Sequence, residues 1–351
     1  MTELESPSSF RRWPAEWEPH EASLLAWPSR SSTWPGCFSK IPHSFTRLVE
    51  TIADFQPVFL LANPGDGVIE ATRFCGTIPQ VTIVPIATND VWIRDYGPIG
   101  VLDRGTPLLL DFRFNSWGGK YPPWNQDDEA TAALARWSQL PNERSSLVLE
   151  GGAIEGNGDG LLLATRSSVI DERRNPGISE SQIEETLRQS LGVHTVVFLE
   201  HGGLIGDDTD GHIDQLARFI NCNTLVVSAT DDHTDANADP LTLMQAELIE
   251  RSSDLGMGLQ VIPLPVPQDV TFDGHRLPAS YCNFTFVQDA VIIPSFQHRF
   301  DDHAEQILGD LLPDKTIVSV DCRELAWGLG AVHCLTQSLP KAQEPTRALG
   351  Q

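Results

Sequence analysis

Basic residues are scarce in this chain. Only 24 of its 351 residues are Lys or Arg, against 48 Asp or Glu, a formal charge of −24. A surface of that sign repels phosphate backbones and anionic lipid, so neither nucleic acid nor a membrane is expected as a partner. The same field concentrates small cations near the protein, although an acidic surface also serves plain solubility. Paired cysteines are equally absent. Cys37, Cys75, Cys222, Cys282, Cys322 and Cys334 are scattered without a CxxC motif, which argues against a zinc ribbon or a disulfide framework and for reduced thiols. No run approaches the roughly 18 apolar residues of a membrane span, and MTELESPSSFRRW at the N-terminus has no apolar signal core. A cytoplasmic protein is expected.

Other absences bound the architecture. GNGDG (156–160) lacks the GxGxxG spacing of a dinucleotide fingerprint and no helix follows it, so no cofactor is expected. Sequence repeats, Ser/Gly linkers and charge blocks are missing too, and the most linker-like stretch, TDDHTDANADP (230–240), reads as a surface loop. One domain over residues 1–351 is expected, with short flexible ends at about 1–10 and 342–351. A homo-oligomer is compatible with this composition.

What the chain does have is 40% hydrophobic residues, 27 glycines and 25 prolines, the mixture of a folded, turn-rich, strand-containing protein. Short apolar runs bounded by turn residues predict strands at 57–65, 81–86, 107–112, 146–152, 160–170, 225–230, 258–267 and 316–321. The run at 280–296 reads as two strands joined around Gln288 and Asp289. Ser179 stands three residues before Gln182, a capping-box spacing that opens a helix over 179–191. Asp239 and Pro240 suit N-cap and N1 of a helix over 239–255, and a third helix is predicted over 302–312. Small groups of strands separated by one helix suit repeated ββαβ-like units better than a doubly wound parallel sheet.

Four stretches could carry chemistry. In NDVWIRDYGP (89–98), Asp90, Arg94 and Asp95 surround Trp92 at a predicted strand end, an arrangement that suits a structural ion pair or a carboxylate facing a cation stacked near an indole. LEGG (149–152) puts Glu150 on a strand before two glycines that allow close approach by a ligand or another strand. HGGLIGDDTDGHIDQ (201–215) is the densest polar cluster. A calcium loop closing at Gly211 would need acids where Gly206 and Ala217 stand, and His212 and Asp214 lack the spacing of a helical zinc motif. No metal is therefore expected. On a strand, His212 and Asp214 would point to one side together. GLGAVHCLTQ (328–337) holds His333 beside Cys334. Adjacent strand residues face opposite ways, so the base serving Cys334 must come from elsewhere, with His212 the best supply. A lone cysteine can equally be a small buried hydrophobe.

Taken together, WPAEWEPH (13–20), AWPSRSSTWPG (26–36), NDVWIRDYGP, DFRFNSWGGKY (111–121), LEGG, DTDGHID (208–214), LPASYCNF (277–284) and HCLTQ (333–337) resemble the agmatine deiminase and bacterial peptidylarginine deiminase family of guanidino-modifying enzymes. The resemblance spans nearly the whole chain. It implies a five-bladed α/β-propeller of ββαβ units, the pentein fold, around one central site. It further implies Cys334 as nucleophile, His212 as general acid and base, Asp95, Glu150 and Asp214 as carboxylates around the guanidinium, and Trp92 and Trp117 as pocket walls. Asp90 matches a substrate-binding position that could equally be an Asn-Asp turn. The implied reaction is hydrolysis of agmatine to N-carbamoylputrescine and ammonia through a covalent thiouronium adduct. Its partner is a small cationic guanidino substrate; other guanidino compounds, peptidyl arginine and a non-catalytic cation-binding propeller are the alternatives. Two departures bear on the pocket. Leu329 and Ala331 stand in GLGAVHC where family members preferring agmatine tend to carry GGGNIHC, which removes an Asn amide near the nucleophile. Glu155 and Asn157 stand where those members often have His and Asp.

A thiol among carboxylates has its pKa pushed up. Slow alkylation of Cys334 in the free protein, and activation by a guanidinium ligand, are expected on that ground unless a protonated His212 already pairs with the sulfur.

Overall fold

The computed structural model describes residues 11–343. Among these, the strands form six sheets, five of which share one connectivity: an antiparallel strand pair followed by a parallel neighbour reached over a helix. The second group shows how the sequence specifies it. Ile99–Asp103 turns back into Thr106–Arg113 through Arg104 and Gly105, both left-handed at φ +53° and +80°, as a two-residue hairpin turn requires. The parallel partner Asn142–Val148 is reached over the helix Ala130–Ser138, because parallel pairing needs a crossover.

The pattern recurs along the chain. Ile154–Gly156 and Leu161–Thr165 pair antiparallel, and Thr195–Leu199 joins in parallel after the helix Glu180–Leu191. Ala217–Asn221, Thr224–Ala229 and Gln260–Pro265 do the same around the helix Ala238–Asp254. Thr285–Phe286, Ala290–Ser295 and Thr316–Asp321 follow around Asp301–Leu311. In the remaining group the last strand of the chain, Gln337–Pro340, pairs antiparallel with His20–Ala26. That strand runs parallel to Val58–Leu61 and, beyond it, Val81–Val84. The last strand thus meets the second strand of the described chain in one sheet, whereas the first, Arg11–Arg12, pairs with Leu102 and Asp103 of the second group.

Helices form where apolar residues repeat on one face. Ser179 and Gln182 make the reciprocal capping box, and the helix they open buries Ile183, Leu187 and Leu191, four residues apart. The helix Ala238–Asp254 begins earlier than Asp239 and Pro240 suggest: Asn237 is its N-cap and makes no side-chain capping bond. Ile41–Ala53, Asp66–Cys75 and Ala130–Ser138 are helices with no counterpart among the sequence-based expectations. The ends expected to be flexible lie outside the described residues, apart from Ala342 and Gln343; the Gln343 N–H donates to Gly105 O at 3.0 Å.

Candidate active site

Cys334 lies in the turn just before the strand Gln337–Pro340. It is not on a strand, so the alternation expected to separate it from His333 does not apply. Its sulfur borders a cavity of about 430 Å³ whose walls include Asp90, Trp92, Asp95, Trp117, Tyr121 and Asp208, a volume within the usual range for small-molecule sites. The Asn283 amide donates to Sγ at 3.1 Å, and Asp214 Oδ2 lies 3.6 Å from Sγ. An Asn amide therefore does reach the Cys334 sulfur. It comes from SYCNF rather than from the GLGAVHC run, where the sequence lacks it.

Asp95 sits in the short helix Ile93–Tyr96 rather than at a strand end. Its Oδ1 accepts the Gly152 N–H at 3.0 Å and its Oδ2 accepts Trp117 Nε1–H at 3.0 Å. His212 and Asp214 also leave the expected strand: His212 caps the single 3₁₀ turn Ile213–Gln215, and the strand begins afterwards at Ala217. Turn geometry, not strand alternation, brings them together. Glu150 lies beyond the end of Asn142–Val148, at the entry to the 3₁₀ turn Gly151–Ala153. A Cβ on Gly152 would come within 2.7 Å of Asp95 Oδ1, 2.8 Å of His212 Nδ1 and 3.0 Å of Asp214 Oδ2. Only glycine lets three functional side chains converge there.

Asp90, Trp92, Asp95, Trp117 and Cys334 form cavity wall, whereas Glu150, His212 and Asp214 are fully buried immediately beneath it. His212 Nδ1 is 3.6 Å from Asp95 Oδ1 and Nε2 is 3.7 Å from Glu150 Oε2, both beyond hydrogen-bond length. Neither ring nitrogen of His212, nor Asp214 Oδ1, has a hydrogen-bond partner. Trp117 is held unusually: Ser116, Trp117, Gly118 and Gly119 all have positive φ, between +54° and +86°, with Asn115 Oδ1 accepting the Gly118 N–H at 2.9 Å. A left-handed residue other than glycine costs roughly 1–2 kcal/mol, strain of the kind found at ligand sites. Asp90 has both a local turn contact and a place on the cavity wall. It caps the Val91 N–H at 2.8 Å and faces the cavity, with Thr33 Oγ1 donating at 3.0 Å and Arg30 Nη1 3.5 Å away.

The electrostatics follow from burial and like charge. Burial, then Asp214 and Asp95, push the Cys334 thiol well above its ordinary value, the direction the carboxylate setting implies. Burial disfavours the His212 imidazolium, but Asp95, Glu150 and Asp214 outweigh it and raise its pKa to about 9. Asp95 is raised to about 6, by burial first and then by Asp214 and Glu150. Burial likewise lifts Asp90 to about 6 against the Val91 N–H, Thr33 and Arg30. Glu150 and Asp214 stay low despite burial, the first through Arg174 and His212, the second through His333 and His212. At neutral pH the free protein thus holds Cys334 as a thiol and His212 as an imidazolium.

Two groups behind this site are not among the expected site residues. Arg174, with no side-chain exposure, forks onto Glu150 at 3.0 and 2.8 Å and reaches Asp210 Oδ2 at 2.9 Å. Glu16, from WPAEWEPH, contacts His333, Arg218 and, at 3.6 Å, Arg94. Of the departures noted in the sequence, Glu155 is a buried partner of Arg218 at 3.0 Å and Asn157 holds a turn by accepting the Asp159 and Leu161 N–H groups. Neither lines the cavity. Leu329 does, in a left-handed conformation at φ +73° that glycine would adopt freely.

A family model described as Porphyromonas-type peptidyl-arginine deiminase matches residues 12–340. The chain belongs to that family. The agmatine deiminase of Stutzerimonas stutzeri (strain A1501) is 33% identical, over 93% of this chain and 95% of that protein. The agmatine deiminase of Pseudomonas aeruginosa (strain LESB58) is 34% identical over 94% and 95%. Among solved structures, a C. jejuni agmatine deiminase variant with substrate bound superposes with a TM-score of 0.89 at 32% identity, covering 95% of this chain and 97% of that one. A DDAH from P. aeruginosa shares the fold at a TM-score of 0.54 and 12% identity. The chain therefore has an α/β fold of pentein type, and as a member of this peptidyl-arginine deiminase family it is a hydrolase of C–N bonds.

Proposed function

We propose that the protein hydrolyses agmatine to N-carbamoylputrescine and ammonia, with Cys334 as nucleophile. The observation that carries this reading is the placing of Cys334 on a cavity wall beside Asp95, with Asp214 3.6 Å from the sulfur and His212 against both acids. A guanidinium is planar and permanently charged, so its carbon resists attack until in-plane carboxylates hold its N–H donors. Asp95 and Asp214 take that part, and Asp214 Oδ1 has an acceptor position free for it. The arriving cation offsets the acids that disfavour the thiolate. With the cation in place the Cys334 thiol releases its proton to solvent and the thiolate sulfur bonds to the guanidino carbon. His212 gives a proton to the departing nitrogen, the C–N bond breaks, ammonia leaves, and an S-alkyl thiouronium remains. Water adds to the same carbon after giving a proton to His212, the C–S bond breaks, and the urea product departs with the thiol restored. Glu150, fixed by Arg174, orients an imidazole that is cationic before the first transfer and after the second, and neutral between them.

The mouth of the cavity favours a substrate with a second positive charge. Asp90 and Asp208 both line it, while the one guanidinium there, Arg30, is occupied by Asp90 and by the Tyr121 and Pro122 carbonyls at 3.2 and 3.0 Å. Trp92 and Trp117 wall the aliphatic part. In the same reading the five equivalent strand groups are ββαβ blades of a propeller closed by the pairing of Gln337–Pro340 with His20–Ala26, within one cytosolic domain. Incubation with agmatine, arginine and an arginine peptide, with ammonia and ureido product measured, tests the assignment. Agmatine alone should turn over well; activity on arginine but not agmatine contradicts it.

A further inference from the structure

We infer that His333 is a positioning residue that fixes Asp214 for the guanidinium, and that Glu16 acts on the site through it. This deepens the deimination reading and rests on it. His333 neighbours the nucleophile in sequence, and its ring lies between two carboxylates. Nδ1 lies 2.7 Å from Asp214 Oδ2 and Nε2 lies 2.9 Å from Glu16 Oε2. Ionised carboxylates only accept hydrogen bonds, so the two contacts put hydrogen on both ring nitrogens and wedge a cation between two buried acids.

The ring has no freedom to leave. Its backbone N–H donates to Asn283 Oδ1 at 3.0 Å. Glu16, on its far side, accepts from Thr285 Oγ1 at 2.7 Å and from the Phe286 N–H at 3.1 Å. Pinning Asp214 Oδ2 from behind sets the plane of the carboxylate. It leaves the unpartnered Oδ1 as the substrate acceptor, and it fixes the 3.6 Å approach of Oδ2 to Cys334 Sγ. The charge matters as well as the contact. Facing His333 besides its two bonded acids are Glu155, the cations Arg94 and Arg218, and, across Asp214, His212. Removing the His333 cation leaves Asp214 among Asp95 and Glu150 with less compensation, so it takes up a proton at higher pH.

Alkylation of Cys334 reads this without depending on turnover. A haloacetamidine carries an amidinium that the acids recognise, whereas a haloacetamide is neutral; in both, sulfur displaces halide. Rates of both reagents are compared from pH 5 to 9 in the wild type, His333→Asn, Glu16→Gln and the double variant. His333→Asn should lose about tenfold of the preference for the amidinium, the equivalent of one pKa unit, and its acid limb should move to higher pH. Glu16→Gln should move both in the same direction by less, and the double variant should fall no further than His333→Asn alone. Unchanged preference and an unchanged acid limb in the variants, with only the melting temperature lowered, overturn the inference by reducing His333 to packing. Should His333→Asn fail to fold, Glu16→Gln decides on the same two readings. A wild type that alkylates with this preference yet releases no ammonia from agmatine defeats the deimination reading separately.

Discussion

The two sides of Asp214 are built on opposite terms. On one side, Asp214 Oδ1 and both His212 nitrogens are buried without hydrogen-bond partners, and the Asp95 and Cys334 pKa values are pushed up. On the other, Asp214 Oδ2, which also lies 3.6 Å from Cys334 Sγ, joins His333, Glu16 and Arg218 in a chain of hydrogen-bonded opposite charges, with Arg218 held also by Glu155. Buried polar groups in folded proteins are almost always satisfied. In the deimination reading, the N–H groups of a bound cation would complete Asp214 Oδ1, while the hydrogen-bonded chain through Oδ2 supplies the rigidity. Activity should therefore reside in front of Asp214 and stability behind it.

The largest effect is expected at the sulfur. Cys334→Ala should lower ammonia release by at least about 10⁴-fold with a melting temperature close to wild type, since it removes one small side chain. Next come paired substitutions that can break the division of labour. Asp95→Asn in front should cost about 10²–10³ in kcat/KM while leaving stability within about 1 kcal/mol. Arg218→Met behind removes the buried cation that Glu16 and Glu155 share and should cost about 3–5 kcal/mol in denaturant unfolding. Similar stability losses at both positions would erase the contrast. Gly152→Ala, which drives a methyl into Asp95, His212 and Asp214 together, should reduce kcat by about 10².

The smallest effect is on pH dependence. His212 is raised from 6.5 to about 9, so its contribution to stability is complete below pH 6.5 and fades as pH rises toward 9. Asp95, raised from 3.8 to about 6, contributes most below 3.8 and loses that contribution as pH rises through 6. Unfolding curves from pH 4 to 9 should show both slopes, and Asp95→Asn should flatten the lower one. In the same range iodoacetamide should modify Cys334 slowly at neutral pH and faster once a guanidinium ligand binds. A thiol pKa below about 6 in the free protein contradicts this electrostatic picture.

Much of the site is legible in the sequence, but not for geometric reasons available there. Asp90, Trp92, Asp95, Trp117, Glu150, His212, Asp214 and Cys334 are all marked by the motifs that carry the family resemblance, and the structure gathers them in and beneath one cavity wall. Strand alternation, used to pair His212 with Asp214, is the wrong local geometry, because the chain reaches the site in 3₁₀ turns and short helices between strands. Arg174 and Asn283 are 24 residues from Glu150 and 51 from Cys334. Such partners become visible only once the strand groups are packed, since no period or spacing links them. The Ser179 capping box is a local signal and is read correctly; the helix at 238–254 has no side-chain cap, so its start is misplaced by the Asp-Pro pair that mimics one.

The account stands on a bond between Cys334 sulfur and the guanidino carbon. Acid quenching during the first turnovers with agmatine, followed by mass spectrometry of the peptide containing Cys334, measures it directly. The predicted result is that peptide carrying the mass of agmatine less ammonia, lost again on further incubation and absent in Cys334→Ala. Wild-type rates of ammonia release from Cys334→Ala, with no adduct on the native peptide, would contradict it.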